Sequence, residues 1–191
     1  MVELSEAQLS PAPSPSPRLG LRHHLLAFSL ALLGGALGIV GAFVQELRSG
    51  GLLLLPFVGA PIIEELLKPA GVYVLLVRWP YTLRSQLYTA ALAAMSGFSF
   101  GIIEAVVYVT VYVSDAPASF VLYRFTMPLL LHTTASFIFG LGINQRVLDW
   151  ASRGLPLPKA SRNLFIVAVT LHALFNTVAT VLWLSVILDV D

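Results

Sequence analysis

Apolar residues run almost unbroken over about 25–44, 51–77, 86–113, 119–144 and 164–188, and polar residues gather between these stretches. A helix needs about 20 residues to cross the hydrocarbon layer of a bilayer. The pattern therefore predicts an all-α protein, a polytopic transmembrane bundle of about five spans. The first stretch follows Arg18 and Arg22 and is long for a signal-peptide core, so it reads as a retained span. The second contains Pro56, Pro61 and Pro69 and is expected to be broken. Ahead of the first span, SPAPSPSP over 10–17 cannot pack, so residues 1–20 are expected to form a disordered, Pro/Ser-rich cytoplasmic tail. Residues 21–191 then form one transmembrane helical domain.

Composition sharpens the picture. Hydrophobic residues make up 57% of the 191 residues and charged residues 11%. Soluble domains are about one-quarter charged, so a water-soluble fold is excluded. A formal net charge of +1 leaves no footprint for nucleic acid. The chain has no cysteine, which removes disulfides, thiol catalysis and Cys-ligated metals. The bases sort by side. With the N-terminus inside, Arg18, Arg22, Arg78, Arg84, Arg146, Arg153, Lys159 and Arg162 face inward, and Arg48 alone faces outward with Glu46, Asp115, Asp189 and Asp191. This bias predicts an N-in, C-out, multi-pass protein of the cell membrane.

The chemistry lies in what the apolar stretches enclose. The second holds Glu64, Glu65 and Lys68, the third Glu104, the fourth Arg124 and His132, and the fifth His172 and Asn176. Each unpaired charge at mid-bilayer costs about 3 kcal/mol on insertion scales, and such residues by default mark function. At a rise of about 1.5 Å per residue, these positions, apart from Arg124 near the outer end of the fourth span, fall in the middle or inner part of the layer, so four helices are expected to aim them at one pocket. Glu64 and Lys68 are four apart, which predicts their pairing and leaves Glu65 freer to titrate. Pro69 biases Lys68 away from helical geometry. His172 and Asn176 share a face. Arg124 has three open fates: snorkelling outward, contacting a lipid phosphate, or pairing with an acid.

Two motifs are weighed against structure. Gly34/Gly38 and Gly97/Gly101 each form G-x-x-x-G, which lets helix backbones approach closely. Gly97-Phe98-Ser99-Phe100-Gly101 also matches G-x-S-x-G, but that nucleophile elbow needs a strand before it; within an apolar helix, Ser99 is not expected to be a nucleophile. The helical zinc motif H-E-x-x-H is absent.

As a set, these residues resemble the PrsW family of intramembrane proteases. Glu64-Glu65-Leu66-Leu67-Lys68 is similar to its E-E-x-x-K motif, and the helix from Gly97 to Glu104 to its second motif, with Ala105 where the family usually has Asn. The segment over 124–140, with Arg124 and His132, resembles the third motif, and Leu171 to Asn176 the closing histidine helix. The Asp-Gly pair often found before the third helix is missing. His172-x-x-x-Asn176 also fits the related CAAX-processing and bacteriocin-protection (CPBP) superfamily, although Glu104 stands where that group has histidine. The resemblance covers residues 59–176. It implies an intramembrane endopeptidase acting on membrane-associated protein substrates, an anti-sigma-factor-like protein among them.

With no cysteine and no credible serine, the nucleophile should be water. Glu65 is expected to act as general base, Glu64 beside it, with Glu104 and His132 orienting the water or passing the proton, and His172 and Asn176 donating to the oxyanion. A zinc version uses Glu104, His132 and His172 as ligands. The metal-free form is slightly favoured, because no two candidate ligands share a tight helical spacing. Intramembrane Glu and His residues also build proton relays, so a proton-coupled transporter or channel is the rival reading; no internal repeat supports it. The third is a non-enzymatic scaffold.

Overall fold

A computed structural model describes residues 19–49 and 55–188. The tail expected over 1–20 therefore lies almost entirely outside the described residues, as do Arg18, Asp189 and Asp191. Among the described residues every regular element is helical. Helix α1 spans Leu21–Ser49. A π-helical turn, Leu55–Gly59, leads into α2 (Ala60–Leu67), followed by α3 (Ala70–Arg78) and a short 3-10 turn, Pro80–Thr82. Then come α4 (Gln86–Val107) with a π-helical extension, Tyr108–Tyr112, α5 (Ala118–Arg124), α6 (Met127–Gly140), α7 (Gln145–Arg153) and α8 (Lys159–Leu188).

Local chemistry sets these limits. Ser85 caps α4, its hydroxyl accepting from the Tyr88 N–H at 3.1 Å, and Asn144 caps α7 through Arg146 N–H at 3.0 Å. Gly154 ends α7 at φ 68°, the left-handed backbone that glycine adopts without penalty. Pro61 and Pro128 sit in the first turns of α2 and α6, where a missing N–H costs nothing. Pro69 separates α2 from α3. Lys68 keeps helical angles there (φ −48°, ψ −50°) and its N–H still reaches Glu64 O at 2.9 Å. The break thus comes from the donor Pro69 lacks, and not from the displacement of Lys68 that the sequence suggested.

Among the described residues, three helices are long and apolar enough to cross a membrane: Leu21–Gln45, Gln86–Tyr112 and Lys159–Trp183. Ala118–Gly140 with Gln145–Arg153 makes a fourth if that pair, bent by 76°, counts as one span. The expected second span is divided into α2 and α3 and does not qualify as one continuous helix.

Helix α4 is central, with α1 on one side and α6 on the other. Helices α2 and α3 lie along α1, and α8 packs on α6 and α2. Lipid tails are as apolar as leucine, so close backbone contact and hydrogen bonds must hold such helices together. Gly34 meets Gly71 across the α1–α3 contact, and a Cβ on Gly97 would overlap the His132 carbonyl and Ser136. Ser96 and Ser99 donate across to the Ala31 and Leu32 carbonyls at 2.6 and 2.9 Å. Ser99 is thereby turned to α1. The core between these helices mixes alanines (Ala27, Ala31, Ala93, Ala135 and Ala168) with larger residues such as Val72, Leu75, Leu92 and Phe139. Leu33, Leu37, Leu130, Leu174 and Leu182 face outward.

Candidate active site

The broken second segment delivers three charges to one place. Helix α2 directs Glu64 and Glu65 inward, and Lys68 stands at the break; all three are buried. The Lys68 ammonium lies 2.7 Å from Glu65 Oε1, 2.8 Å from His132 Nδ1 and 3.4 Å from Glu64 Oε2. It also sits 4.5 Å from the centre of the Phe100 ring. An ammonium has three donors, and here each faces a different acceptor. The expected Lys68–Glu64 ion pair is present at 3.4 Å, but the nearer carboxylate is Glu65, which is therefore not left free as the spacing suggested. Spacings of three and four both place side chains on one helix face, and the fold favours the former.

Glu65 is saturated. Its Oε1 also receives His172 Nδ1 at 2.9 Å, and Ser136 Oγ donates to its Oε2 at 3.5 Å. Glu64 differs: its Oε2 has no hydrogen-bond partner, and His172 Nε2 stands 3.7 Å away. His132 donates from Nε2 to Glu104 Oε2 at 2.8 Å, because its Nδ1 accepts from Lys68; those partners fix the neutral tautomer. Arg124 joins the chain, donating to Glu104 Oε2 at 2.8 Å with its guanidinium 3.6 Å over the Tyr108 ring. Of its three open fates, pairing with an acid is the one observed.

Helices α2, α4, α6 and α8 thus bring Glu64, Glu65, Glu104, His132 and His172 into one connected network. A cavity of about 560 Å³ adjoins it. Its lining includes Glu64, Phe100, Glu104, His132 and Asn176, together with Gln45, Tyr108, Tyr112, Tyr123 and Arg124 from the ends of α1, α4 and α5. The cavity therefore extends toward the end of the bundle where α1 and α4 finish and α5 begins. Sequence reasoning missed Gln45 and the tyrosines. A glutamine closing an apolar span was the available signal for the first; nothing marked the tyrosines, which are ordinary at membrane interfaces.

One subset suits a metal. Ligand atoms of Glu64, His132 and His172 lie within 4.8 Å of one another, and all three residues are buried. Two imidazoles and a carboxylate are a catalytic zinc set, and a ligating His normally gives its other nitrogen to a carboxylate. Glu65 stands in that relation to His172, and Glu104 to His132. The donor set therefore fits, with Glu64 where the sequence suggested Glu104, since Glu104 is held behind His132. The ligands come from three helices, which is why no short spacing announced them. His132 Nδ1, the lone pair left for a cation, is the one Lys68 holds.

The described residues thus place a buried cluster of acids and imidazoles beside a cavity in an apolar helical bundle. The family model for PrsW family intramembrane metalloproteases matches residues 21–190. The chain belongs to the PrsW family. No curated protein and no solved structure matches it significantly.

Proposed function

We propose that the protein is an intramembrane endopeptidase that hydrolyses membrane-embedded protein segments by water activated between Glu64, His132 and His172. The observation that carries this reading is the convergence of these three side chains, from three helices, to within 4.8 Å of one another, with Glu64 and His132 on the cavity wall and His172 behind them. Family membership supports peptidase chemistry.

In the first form Glu64, His132 and His172 hold a zinc-type ion. Such an ion, when bound, lowers the pKa of its water to about 7 and polarises a carbonyl. The chain supplies the rest. Glu65 fixes the His172 ring through Nδ1, and Glu104, braced by Arg124, fixes His132 through Nε2. Asn176, one turn beyond His172 on the cavity wall, is positioned to donate to the developing oxyanion. The buried Phe100 ring packs against the Lys68 ammonium and, with centroids 5.2 Å apart, the His132 ring, an apolar wall that helps hold both in place.

The Lys68 contact with His132 Nδ1 favours a second, metal-free form. There Glu64 takes the proton of water at its Oε2 and returns it to the leaving amine, and Asn176 donates to the oxyanion; His172, whose Nδ1–H is given to Glu65, offers an acceptor at Nε2. In both forms Glu64 faces the water and Glu65 supports it, the reverse of the roles that spacing suggested. The charge bias supports five crossings with the N-terminus inside, the broken α2–α3 segment being one of them. Single cysteines at Asp115 and Arg153, introduced into this cysteine-free chain, should label from opposite sides.

The test is cleavage of a transmembrane reporter peptide in detergent. Glu64→Gln should lower the rate by at least about 100-fold; undiminished cleavage overturns the assignment. Metal analysis with chelation separates the two forms. Activity lost and regained with stoichiometric zinc selects the first, and full activity in metal-free protein selects the second.

A further inference from the structure

Among the described residues, three buried side-chain atoms lack a hydrogen-bond partner: Gln45 Oε1, Glu64 Oε2 and Arg124 Nε. All three residues line the same cavity. Unsatisfied buried polar atoms are rare and costly, most of all in an apolar setting. Their gathering around one space is therefore informative. Glu64 belongs to the chemistry described above. Gln45 does not, and Arg124 enters it only through Nη2, which braces Glu104, so its Nε is unused there; the two residues come from α1 and α5.

Their chemistry is complementary. Gln45 offers an acceptor. Arg124 offers a donor and is held still: its Nη2 is committed to Glu104 at 2.8 Å, its guanidinium rests over Tyr108, and its side chain is 11% exposed. Tyr112 and Tyr123 line the same end of the cavity. An extended polypeptide presents both what Gln45 and Arg124 lack, an N–H for the first and a C=O for the second. A helix interior presents neither, because its groups are spent on one another.

We propose that Gln45 and Arg124 form a backbone-binding subsite that holds an extended segment of the substrate polypeptide beside Glu64. The inference rests on the endopeptidase reading for its biological sense, but its binding test does not. Gln45 and Arg124 are positioning residues: they fix the register of the chain entering the site and select segments able to leave the helical form.

The probe is a labelled Leu/Ala transmembrane peptide with a central Gly-Pro, which keeps its middle non-helical. Its binding to the Glu64→Gln protein in micelles is measured by fluorescence anisotropy. Adding Gln45→Met, close in shape but without the amide, should weaken binding about tenfold, the effect of one buried hydrogen bond left unmade. Arg124→Lys, which keeps the charge beside Glu104, should also weaken it several-fold. A scan of backbone esters along the peptide, each removing one N–H, supplies a test without any change at Gln45. One ester position should lose about tenfold against Gln45 and nothing further against Met. Binding insensitive to Gln45→Met and to every ester overturns the subsite, as does a peptide that does not bind. Cleavage by the unsubstituted protein is scored separately. Binding with this signature but no cleavage preserves the subsite and removes the peptidase reading; cleavage with no signature does the opposite.

Discussion

Gly97→Ala tests whether the site depends on the closeness of α4 and α6. A Cβ at position 97 would fall 2.6 Å from Ser136 Oγ and 2.8 Å from its Cβ, and it would overlap the His132 carbonyl oxygen outright; ordinary contact begins at 3.4 Å. The carbonyl belongs to the backbone and cannot rotate away, so α6 must withdraw by about 1 Å in an interior packed to crystal-like density. Overpacking of this kind costs about 1–3 kcal/mol. The displaced residue is His132 itself, and a misplacement of about 1 Å in a catalytic group costs on the order of 100-fold in rate. Gly101 provides the comparison. A Cβ there meets Leu129 Cδ1 at 3.0 Å, His132 Cδ2 at 3.2 Å and the Leu129 Cα at 3.3 Å, so a shift of a few tenths of an ångström is enough. Gly97→Ala should therefore lower cleavage about 100-fold below its melting temperature, and Gly101→Ala no more than about tenfold. Co²⁺ titration should show the same order in metal affinity if the metal form operates. Wild-type rates in Gly97→Ala, or equal damage from both variants, would refute the argument.

Other outcomes follow from the same geometry. Lys68→Met removes the buried cation between Glu64 and Glu65, so thermal unfolding in detergent should show a loss of about 3–5 kcal/mol, partly recovered by added zinc in the metal form. Asn176→Leu should lower kcat by about 10²–10³ with little change in melting temperature if it is an oxyanion donor. Ser99→Ala should leave cleavage unchanged, because Ser99 donates to the Leu32 carbonyl on α1; loss of activity would restore the serine reading.

Which helices carry the chemistry was legible in the sequence, and the pairing within the cluster was not. Glu104, His132 and His172 stood out because an ionisable group in an apolar stretch has few neutral explanations. Their convergence followed from depth along each helix, which a rise per residue determines. Partner choice depends on rotation and distance between helices, which one-dimensional spacing leaves open. Lys68 reaches Glu65 as easily as Glu64 until α6 brings His132 and Ser136 alongside. Arg124 had three destinations until α5 was set against Tyr108. The ligand-like trio of Glu64, His132 and His172 was hidden for the same reason, since its members are neighbours only after α2, α6 and α8 assemble. The count of crossings depended on Pro69, whose missing donor turned one apolar run into two short helices.

The position of Lys68 has a consequence for how the protein comes into being. Its ammonium is a counter-ion carried by the chain, already seated between two acids and an imidazole. A zinc finger needs its metal to fold. The acids of this bundle are paired from within, Lys68 between Glu64 and Glu65 and Arg124 on Glu104. In the metal form, loading would therefore be an exchange of one cation for another, with no fold to build.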